Sequence, residues 1–286
     1  MTRPADRASR VRVATLNVLT LSDAEGRRRQ EVLRRGLLGL RPDVVAVQEV
    51  TRGPRFDQAR HLLGPEFTVV DLPGQSPTGA GESLASRWPL GAVAALDLPI
   101  AGSSHESVRA TALAAEVLLP PPLGPVLVVH HRGTYQQDLE RAREQQAVAT
   151  ARFVEGLVAP RPERPVVLLG DFNADADAAS IRFLTGRQSL DGVSVRYEDA
   201  WAAAHPDEAG HTFTPHNPLV RAGQMPLERG RRIDYAMVRG GPHGPLLDVA
   251  DCRLIFTEPV DGVWASDHFG VCADLRLPHH PPGTWA

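Results

Sequence analysis

The sequence predicts a layered α/β fold, and three patterns support this class. The run Val166–Leu169 is four apolar residues followed by Gly170, which is typical of a short strand buried on both faces. The segments 109–119 and 125–131 have the alternation of strands in a sheet that packs on another layer. The stretch 23–40 carries apolar residues at helical spacing. Together these patterns indicate sheets and helices arranged in layers.

The predicted elements follow one another along the chain with short connections. The strands are expected at 11–18, 43–50, 67–71, 82–89, 91–98, 109–119, 125–131, 166–169, 231–238, 248–256 and 271–275. The helices are expected at 23–40, 55–64, 135–158 and 178–186. Pro42 ends the first helix, whose five arginines we interpret as a solvated face. The segment 199–214 is predicted to be rich in loops.

Composition favours one globular domain. Hydrophobic residues make up 42% and charged residues 23% of the 286-residue chain, as in ordinary globular proteins. No Gly/Ser-rich linker divides it, so we predict a single domain over 1–277 and a flexible tail over 278–286. Cys252 and Cys272 lack metal-site spacing and are expected to be small buried apolar residues.

Charge and hydropathy restrict the partners. The formal net charge is -3, with Lys+Arg 31 and Asp+Glu 34, so no global field would collect nucleic acid, although a local basic groove is compatible with this total. The N-terminal residues are polar, and no apolar run approaches membrane-spanning length. We therefore predict a cytoplasmic protein without a membrane partner. The oligomeric state is not predicted by any pattern in the chain.

Polar side chains follow several of the predicted strands. Asn17 ends the first strand, Glu49 ends the second, and Asp171 and Asn173 follow the buried strand at Val166–Leu169. Ligands of layered α/β proteins bind near such strand ends. Carboxylate oxygen is also the ligand that Mg²⁺ prefers. Each of these residues, taken alone, could equally be a turn residue or a surface residue. A functional site is favoured because several strands end in such polar residues.

Two adjacent histidines, His130 and His131, close the strand at 125–131. Neighbouring residues of a strand point to opposite faces, so at most one of the two can face a given site. The residues themselves leave the choice open. Further along the chain, Asp234 stands near the start of a strand, and Asp267 and His268 form an adjacent pair before the last strand.

Six motifs taken in order resemble the endonuclease/exonuclease/phosphatase superfamily, which has the DNase I-like fold. They are Thr15-Leu16-Asn17, Gln48-Glu49-Val50, the strand-end histidine, Gly170-Asp171-Phe172-Asn173, Arg232-Ile233-Asp234-Tyr235 and Ser266-Asp267-His268-Phe269-Gly270-Val271. The resemblance covers nearly the whole chain. It implies a four-layer α/β sandwich, in which two mixed β-sheets pack face to face with helices on both outer sides and the active site lies at one edge between the sheets.

The resemblance also implies roles for the residues in these motifs. Glu49 resembles the principal ligand of a Mg²⁺ ion, and Mn²⁺ would suit the same oxygen ligands. Asn17 and Asp267 would complete the shell around metal and phosphate. Asp171 and Asn173 would position or deprotonate the attacking water and bind the oxyanion. His268 would be a catalytic histidine oriented by Asp234.

For the strand-end histidine, the family pattern of a small polar residue followed by His selects His131 over His130. Four further residues are expected to bind substrate: Glu82, Arg109, Arg132 and Arg232. Glu82 is expected to pair with the strand-end histidine, as an acid does in the nuclease branch of the family. The arginines are candidate phosphate contacts, or alternatively ordinary surface charge.

The function expected from these features is metal-dependent hydrolysis of a phosphate mono- or diester, on a small or lipid-derived substrate. The residues after Asn17 are Val18-Leu19-Thr20, without the further acid that some DNA-repair members carry, and no basic, aromatic-rich insertion for gripping nucleic acid is evident. A nuclease acting on DNA or RNA is the alternative. A catalytically silent binding protein on the same fold ranks below both.

Overall fold

The computed structural model describes residues 9–73, 80–98, 110–223 and 225–278. The strands are β1 Arg10–Asn17, β2 Val44–Gly53, β3 Phe56–Asp57, β4 Thr68–Asp71, β5 Ala80–Ser86, β6 Leu90–Asp97, β7 Thr111–Leu118, β8 Pro125–Arg132, β9 Val166–Asp171, β10 Tyr197–Asp199, β11 Asp234–Gly241, β12 Gly244–Pro245, β13 Asp248–Ile255 and β14 Gly270–Arg276. The helices are α1 Gly26–Leu40, α2 Gln58–Leu63, α3 Glu140–Val158, α4 Ala179–Leu184, α5 Ala200–Ala204 and α6 Pro218–Ala222.

The strands form two seven-stranded sheets. The first has the order β13-β14-β1-β2-β5-β4, with β3 paired to β2, and the second has the order β10-β11-β9-β8-β7-β6, with β12 paired to β11. The pairs β1/β2 and β8/β9 are parallel and the other pairs are antiparallel. Both sheets are therefore mixed, which confirms the predicted fold class.

Alternate residues of the central strands fill the space between the sheets. Val11 and Val13 of β1 share one buried cluster with Val167 and Leu169 of β9. The residues between them face outward: Ala14 and Leu16 pack under α1 and α2, whereas Val166 and Leu168 pack under α3 and α4. The two-residue period of a strand thus separates an inner core from two outer ones. This arrangement confirms helices on both outer sides of the sandwich.

The first helix begins at Gly26, three residues later than predicted, and one of its arginines is not solvated. α1 ends at Leu40, and Arg41 adopts a left-handed conformation with φ 51° before Pro42. Arg29, expected to be solvated with the other arginines, is 1% exposed and donates hydrogen bonds to several backbone carbonyls of the 18–24 loop. Buried carbonyls of an irregular loop need donors, and a guanidinium supplies five N–H groups. The prediction of a solvated face is therefore wrong for Arg29.

The helix α3 begins at Glu140, five residues later than predicted. Arg143 in its first turn donates to the carbonyl oxygens of Thr134, Gln136 and Gln137 at 3.1, 2.5 and 3.1 Å. These bonds stabilise the turns that precede the helix, so the chain is not helical there. No helix in the described segments is long and apolar enough to span a bilayer.

The segment that the sequence predicted as loop-rich contains short regular elements. Asp199 ends β10, and its side chain accepts the backbone N–H of Trp201 at 3.0 Å, which caps α5. Trp201 then contributes to the core between the sheets.

Of the other predictions, the tail beyond 278 lies outside the described residues, and the single-domain boundary stays a prediction.

Candidate active site

Five strands of the two sheets meet at one edge of the sandwich. The end of β1 and the bulge of β2 at Glu49 come from the first sheet, and the ends of β8 and β9 and the start of β11 come from the second. The register of β9 with β11 places Asp171 directly opposite Asp234. The residues gathered there, which we call the edge cluster, are Asn17, Glu49, Glu82, Arg132, Asp171, Asn173, Asp234, Asp267 and His268.

Asn17 links the two sheets within this cluster. It is the last residue of β1 and is 2% exposed. Its Nδ2 donates to Glu49 Oε1 at 3.0 Å and to Asp171 Oδ2 at 3.3 Å, while its Oδ1 accepts the backbone N–H of Leu19 at 3.0 Å. The amide therefore holds one carboxylate from each sheet at a fixed separation.

A β-bulge directs Glu49 into the edge cluster. The pairing of β2 with β5 shifts between Val47 and Val50, so β2 contains one extra residue, and Glu49 has φ 60°. In regular alternation Glu49 would point to the helix side, opposite to its neighbour Gln48. Burial alone would raise the pKa of the Glu49 carboxyl, but the charge of Arg132 and the hydrogen bond from Asn17 outweigh it, and the pKa lies below its ordinary value.

Arg132 pairs with two carboxylates of the cluster. Its Nη2 donates to Glu49 Oε1 and its Nη1 to Glu82 Oε1, each at 2.7 Å. The side chains of Arg132 and Glu82 are only 13% and 7% exposed. Burial would lower the pKa of the guanidinium, but the charges of Glu49 and Glu82 outweigh the effect of burial and raise the pKa. Arg132 therefore stays protonated. The structure thus places Glu82 beside an arginine, where the sequence suggested a histidine.

Neither histidine of β8 reaches the cluster. His131 lies on the face of Leu127 and Val129 that packs against α3, where its Nδ1 lies 3.0 Å from Thr150 Oγ1. His130 lies on the opposite face and is fully buried between the sheets. β8 continues to Arg132, one residue further than predicted, so the strand's end brings Arg132 to the site. The predicted placement of His131 is therefore wrong, by the one-residue alternation of a strand.

Asp171 and Asn173 follow one another around the end of β9. Asp171 is 1% exposed, and its Oδ1 accepts the backbone N–H of Asn173 at 3.1 Å. Asn173 has φ 53°, a left-handed conformation that Asn tolerates, and its Nδ2 donates to the carbonyl of Gly133 at 3.0 Å. Burial, followed by the nearby charge of Asp234, raises the pKa of Asp171 to about 6. Asp171 is therefore placed to accept a proton near neutral pH.

His268 and Asp234 form a buried pair. His268 Nδ1 lies 2.9 Å from Asp234 Oδ2, and the two side chains are 7% and 0% exposed. Burial opposes the charge of the imidazole, but Asp234 outweighs burial and raises the pKa of His268 to about 10. His268 is therefore an imidazolium at neutral pH, oriented by Asp234 through Nδ1, which leaves Nε2–H to face the cluster.

Two residues that the sequence did not single out support this pair. Thr212 Oγ1 accepts the backbone N–H groups of Ile233 and Asp234 at 3.1 and 3.2 Å, and fixes the start of β11. The ring of Phe213 packs on His268 with centroids 4.8 Å apart. Both residues belong to the segment predicted as loop, and no local pattern marks them as part of a site.

Asp267 adds a further carboxylate on the side of the first sheet. Ser266 Oγ donates to the carbonyl of Asn17 at 2.7 Å and lies 3.2 Å from Asp267 Oδ1, which ties this loop to the end of β1. Burial raises the pKa of Asp267, and the charge of Glu49 raises it further, against the opposing effect of His268. Glu49 and Asp267 therefore lie close enough to repel one another.

The carboxylates of the edge cluster suit a divalent cation and offer two places for it, one at Glu49 and Asp267 and one at Asp171, Asp234 and His268. Ligand atoms of Asp171, Asp234 and His268 all lie within 4.8 Å of one another. Asp234 Oδ1 is buried without a hydrogen-bond partner among the described residues, and the raised pKa values of Asp171 and Asp267 reflect crowding of negative charge. Hard carboxylate oxygens in this density are the ligands of Mg²⁺ and Mn²⁺. These ligands do not distinguish Mg²⁺ from Mn²⁺.

The two remaining substrate-binding predictions have different outcomes. Arg232 is 6% exposed, its Nη1 donates to Asp199 Oδ2 at 2.5 Å, and its guanidinium lies 4.7 Å from the ring centroid of Tyr235. The structure therefore assigns Arg232 to a buried ion pair, and its predicted contact with substrate is wrong. Arg109 lies outside the described residues.

Comparison with known proteins identifies related chains. The model of a family described as Endonuclease/Exonuclease/phosphatase family matches residues 14–268. Among solved structures, D. rerio TDP2 complexed with single strand DNA product aligns with a TM-score of 0.71 and 19% identity, covering 94% of this chain and 100% of that one. An endonuclease/exonuclease/phosphatase from Bacteroides vulgatus aligns with a TM-score of 0.71 and 22% identity, with coverages of 94% and 100%.

The catalytic domain of human Nocturnin with bound sulfate anion aligns with a TM-score of 0.72 and 16% identity, covering 94% of this chain and 95% of that one. No curated protein sequence matches the chain. At these identities, the similarity to the three solved structures shows a common fold.

Proposed function

The chain belongs to the endonuclease/exonuclease/phosphatase family, and from this premise we propose that it is a divalent-metal-dependent phosphoesterase that hydrolyses a phosphate mono- or diester. The observation that carries the proposal is the buried Asp234–His268 pair, 2.9 Å apart, directly across the strands from Asp171. The Asp171 carboxylate, which can accept a proton, thus lies beside the His268 imidazolium, which can stabilise developing negative charge. Hydrolysis of a phosphoester requires both functions.

In this mechanism Asp171 orients the attacking water and accepts its proton. With a pKa raised to about 6, Asp171 is mostly ionised at neutral pH and still basic enough for the task. His268 donates through Nε2–H to a phosphoryl oxygen, while Asp234 keeps the ring oriented. A divalent cation held by Glu49 and Asp267 would polarise the phosphoryl oxygen.

We assign the cation to Glu49 and Asp267 and not to Asp171, Asp234 and His268. In the latter group, Nδ1 of His268 and Oδ2 of Asp234 are already engaged with each other at 2.9 Å. A histidine ligand must present a lone pair, which an imidazolium lacks. Within the described chain, Glu49 Oε1 accepts the hydrogen bonds from Asn17 and Arg132, whereas Glu49 Oε2 accepts none and can bind a cation.

For the substrate we propose a small or lipid-derived phosphate ester. The net charge of -3 gives no general attraction for nucleic acid. A nuclease is the second candidate, and it is favoured by one observation: a structural neighbour, D. rerio TDP2, was solved with a single strand DNA product.

The test is hydrolysis by the purified protein, with Mg²⁺, with Mn²⁺ or with chelator. The substrates are p-nitrophenyl phosphate, bis-p-nitrophenyl phosphate, small phosphate esters, plasmid and single-stranded DNA, and RNA. We expect turnover of the small esters that chelator abolishes and that Asp171→Asn and His268→Ala each reduce at least a hundredfold. The exposed His243 provides the control, since His243→Ala should retain full activity.

Each other outcome has a definite meaning. Turnover that persists in chelator or in His268→Ala would contradict the proposal. Cleavage of plasmid or RNA with the small esters untouched would establish the nuclease in its place. Absence of turnover on every substrate, together with no change in the unfolding temperature on adding Mg²⁺ or Mn²⁺, would favour a binding protein on this fold.

A further inference from the structure

A cleft of about 630 Å³ opens next to the part of β2 that follows Glu49. It lies between the loop that follows β1 and the turn that connects β2 to β3. The residues of its wall that bear on the argument are Arg27, Gln30, Thr51, Arg55, Phe56 and His61. We call it the basic cleft.

The basic cleft shares its supporting backbone with the candidate active site. Thr51 follows Glu49 by two residues on β2, and Thr51 Oγ1 accepts the backbone N–H of Leu21 at 3.0 Å. Two residues earlier in the same loop, the N–H of Leu19 bonds Asn17 Oδ1 at 3.0 Å. The wall of the cleft therefore adjoins the segment of β2 that carries Glu49. A single small molecule could therefore span both places.

The charge of the cleft is positive and is not neutralised. Arg27 and Arg55 are exposed, and within the described chain neither forms an ion pair with a carboxylate. No acidic residue lines the cleft among the described positions. The nearby Asp57 is already paired with Arg60. In a chain with a net charge of -3, this concentration of cationic groups is local.

Gln30 is a second, independent indication of a ligand. It is 5% exposed and lines the cleft, and in the described part of the protein neither its amide nitrogen nor its amide oxygen has a hydrogen-bond partner. A buried amide without partners is destabilising, because nothing replaces the water that it loses. Its NH₂ group can donate to an anionic oxygen beside the arginines, and this contact would recover the cost.

We propose that the basic cleft binds a second phosphate group of the substrate. The proposal rests on the proposed function, since the first phosphate is the one hydrolysed at the edge cluster. Arg27 and Arg55 would bind the oxygens of the second phosphate, Gln30 would donate to it, and the half-buried ring of Phe56 would contact the group that connects the two phosphates.

The test compares binding of adenosine 5′-monophosphate and adenosine 3′,5′-bisphosphate by titration calorimetry, first in chelator and then with Mg²⁺. We expect the bisphosphate to bind at least tenfold more tightly than the monophosphate. The double variant Arg27→Gln/Arg55→Gln should lose this preference. Its matched control, Arg34→Gln/Arg187→Gln, removes two exposed arginines elsewhere and should keep it.

A third variant separates ligand binding from structural support. Gln30→Met fills a similar volume but removes the amide, so we expect weaker bisphosphate binding by several-fold with an unfolding temperature equal to or above that of the wild type. Equal binding of both nucleotides to the wild type, or a preference that survives Arg27→Gln/Arg55→Gln, would overturn the proposal. A preference without any hydrolysis would preserve the basic cleft and remove the proposed function, so the two are distinguishable.

Discussion

Arg132 holds together two carboxylates that would otherwise repel each other at the edge of the sheets. Its two 2.7 Å contacts, to Glu49 and Glu82, use both terminal nitrogens of the guanidinium. One of these partners is the carboxylate to which we assign the cation. Arg132 and a divalent cation therefore compete for Glu49, and the arginine stabilises the cluster when no cation is bound.

Replacing Arg132 by glutamine tests this competition. Arg132→Gln leaves two largely buried acids without their counter-ion, and we expect a loss of about 3 kcal/mol in the free energy of unfolding in chelator. Mg²⁺ should restore more stability to Arg132→Gln than it adds to the wild type, because Glu49 is then free to bind it. Urea unfolding with and without Mg²⁺ measures both effects.

The control for this comparison is Arg253→Gln, which breaks an exposed pair with Asp251. It should change stability by less than about 1 kcal/mol, and equally with and without Mg²⁺. If Mg²⁺ stabilised Arg132→Gln no more than the wild type, Glu49 would not be the ligand.

The sequence predicted most of the edge cluster, because its residues lie next to strands whose apolar pattern is unambiguous. Asp171 and Asp234 are examples: one ends a strand, the other begins a strand, and β-sheet pairing brings them opposite each other. The prediction for His131 was wrong because the strand ends one residue later than predicted. Side chains alternate between the two faces of a strand, so a one-residue error assigns a side chain to the opposite face. Thr212 could not be predicted, since its role depends on the backbone of a strand distant in sequence.

At the scale of elements, the close pairing of β8 with β9 depends on Gly170. Gly170 has φ 148°, and a Cβ at this position would lie 1.8 Å from the carbonyl oxygen of His131 in the neighbouring strand. The atom in the way is backbone, so it cannot move aside without separating the strands. Gly170 also immediately precedes Asp171, and any separation of the strands would displace that carboxylate.

Gly170→Ala should therefore destabilise the protein by more than about 2 kcal/mol and reduce activity with it. Gly156→Ala is the matched control, because a Cβ at this helical, exposed position of α3 meets nothing within 4 Å. Alanine is the better helix former, so Gly156→Ala should stabilise by up to about 1 kcal/mol. Urea unfolding midpoints of the two variants should move in opposite directions; a shift of Gly170→Ala toward higher urea would contradict the role given to Gly170.

The helices show where a periodic pattern is and is not sufficient. The apolar stripe of α1 predicted its buried face, since Leu33 and Leu37 pack under the first sheet. The same pattern could not reveal that Arg29 is buried, because the acceptors that make this favourable are loop carbonyls, including that of Ala265 far along the chain. Periodicity predicts which side faces inward, but it does not predict polar contacts made across the fold.

For the whole molecule, the strand order is the feature least accessible from sequence. Local patterns located β1 and β14, yet nothing in either predicts that β14 pairs with β1 from the other end of the chain. This pairing brings Asp267 and His268 to the end of β1 at Asn17 and to the neighbouring bulge of β2 at Glu49. The fold class was predicted correctly because the family resemblance supplies that long-range information.

Burial of the two histidines of β8 couples the stability of the whole molecule to pH. His130 and His131 are 0% and 3% exposed, and burial lowers the pKa of each from 6.5 to about 3. In the folded protein both rings stay neutral, whereas the unfolded chain binds protons below about pH 6.5. Their contribution to stability is therefore fully present above pH 6.5 and is lost as the pH falls toward 3.

The loss is large enough to measure. Well below pH 6.5 each histidine contributes about 1.4 kcal/mol per pH unit, and since the unfolded chain is only half protonated at pH 6.5 itself, the pair predicts a fall of about 3 kcal/mol in the free energy of unfolding between pH 6.5 and 5. Asp171 acts in the opposite direction, because its pKa is raised to about 6 in the folded state. The total curve therefore mixes several groups, and a variant of one histidine isolates its share.

His130 is the histidine to change, because within the described chain neither of its ring nitrogens has a hydrogen-bond partner. Its cross-strand neighbours are Leu113 and Leu169, so His130→Leu extends an apolar layer at similar volume. We expect it to match or exceed the wild type in stability at pH 7, and to lose about 2 kcal/mol less between pH 6.5 and 5. Urea unfolding at pH 7, 6 and 5 measures this difference, with the exposed His243→Ala as control. Parallel pH curves for His130→Leu and the wild type would mean that His130 binds its proton in the folded protein as readily as in the unfolded chain, and that burial between the sheets does not keep it neutral.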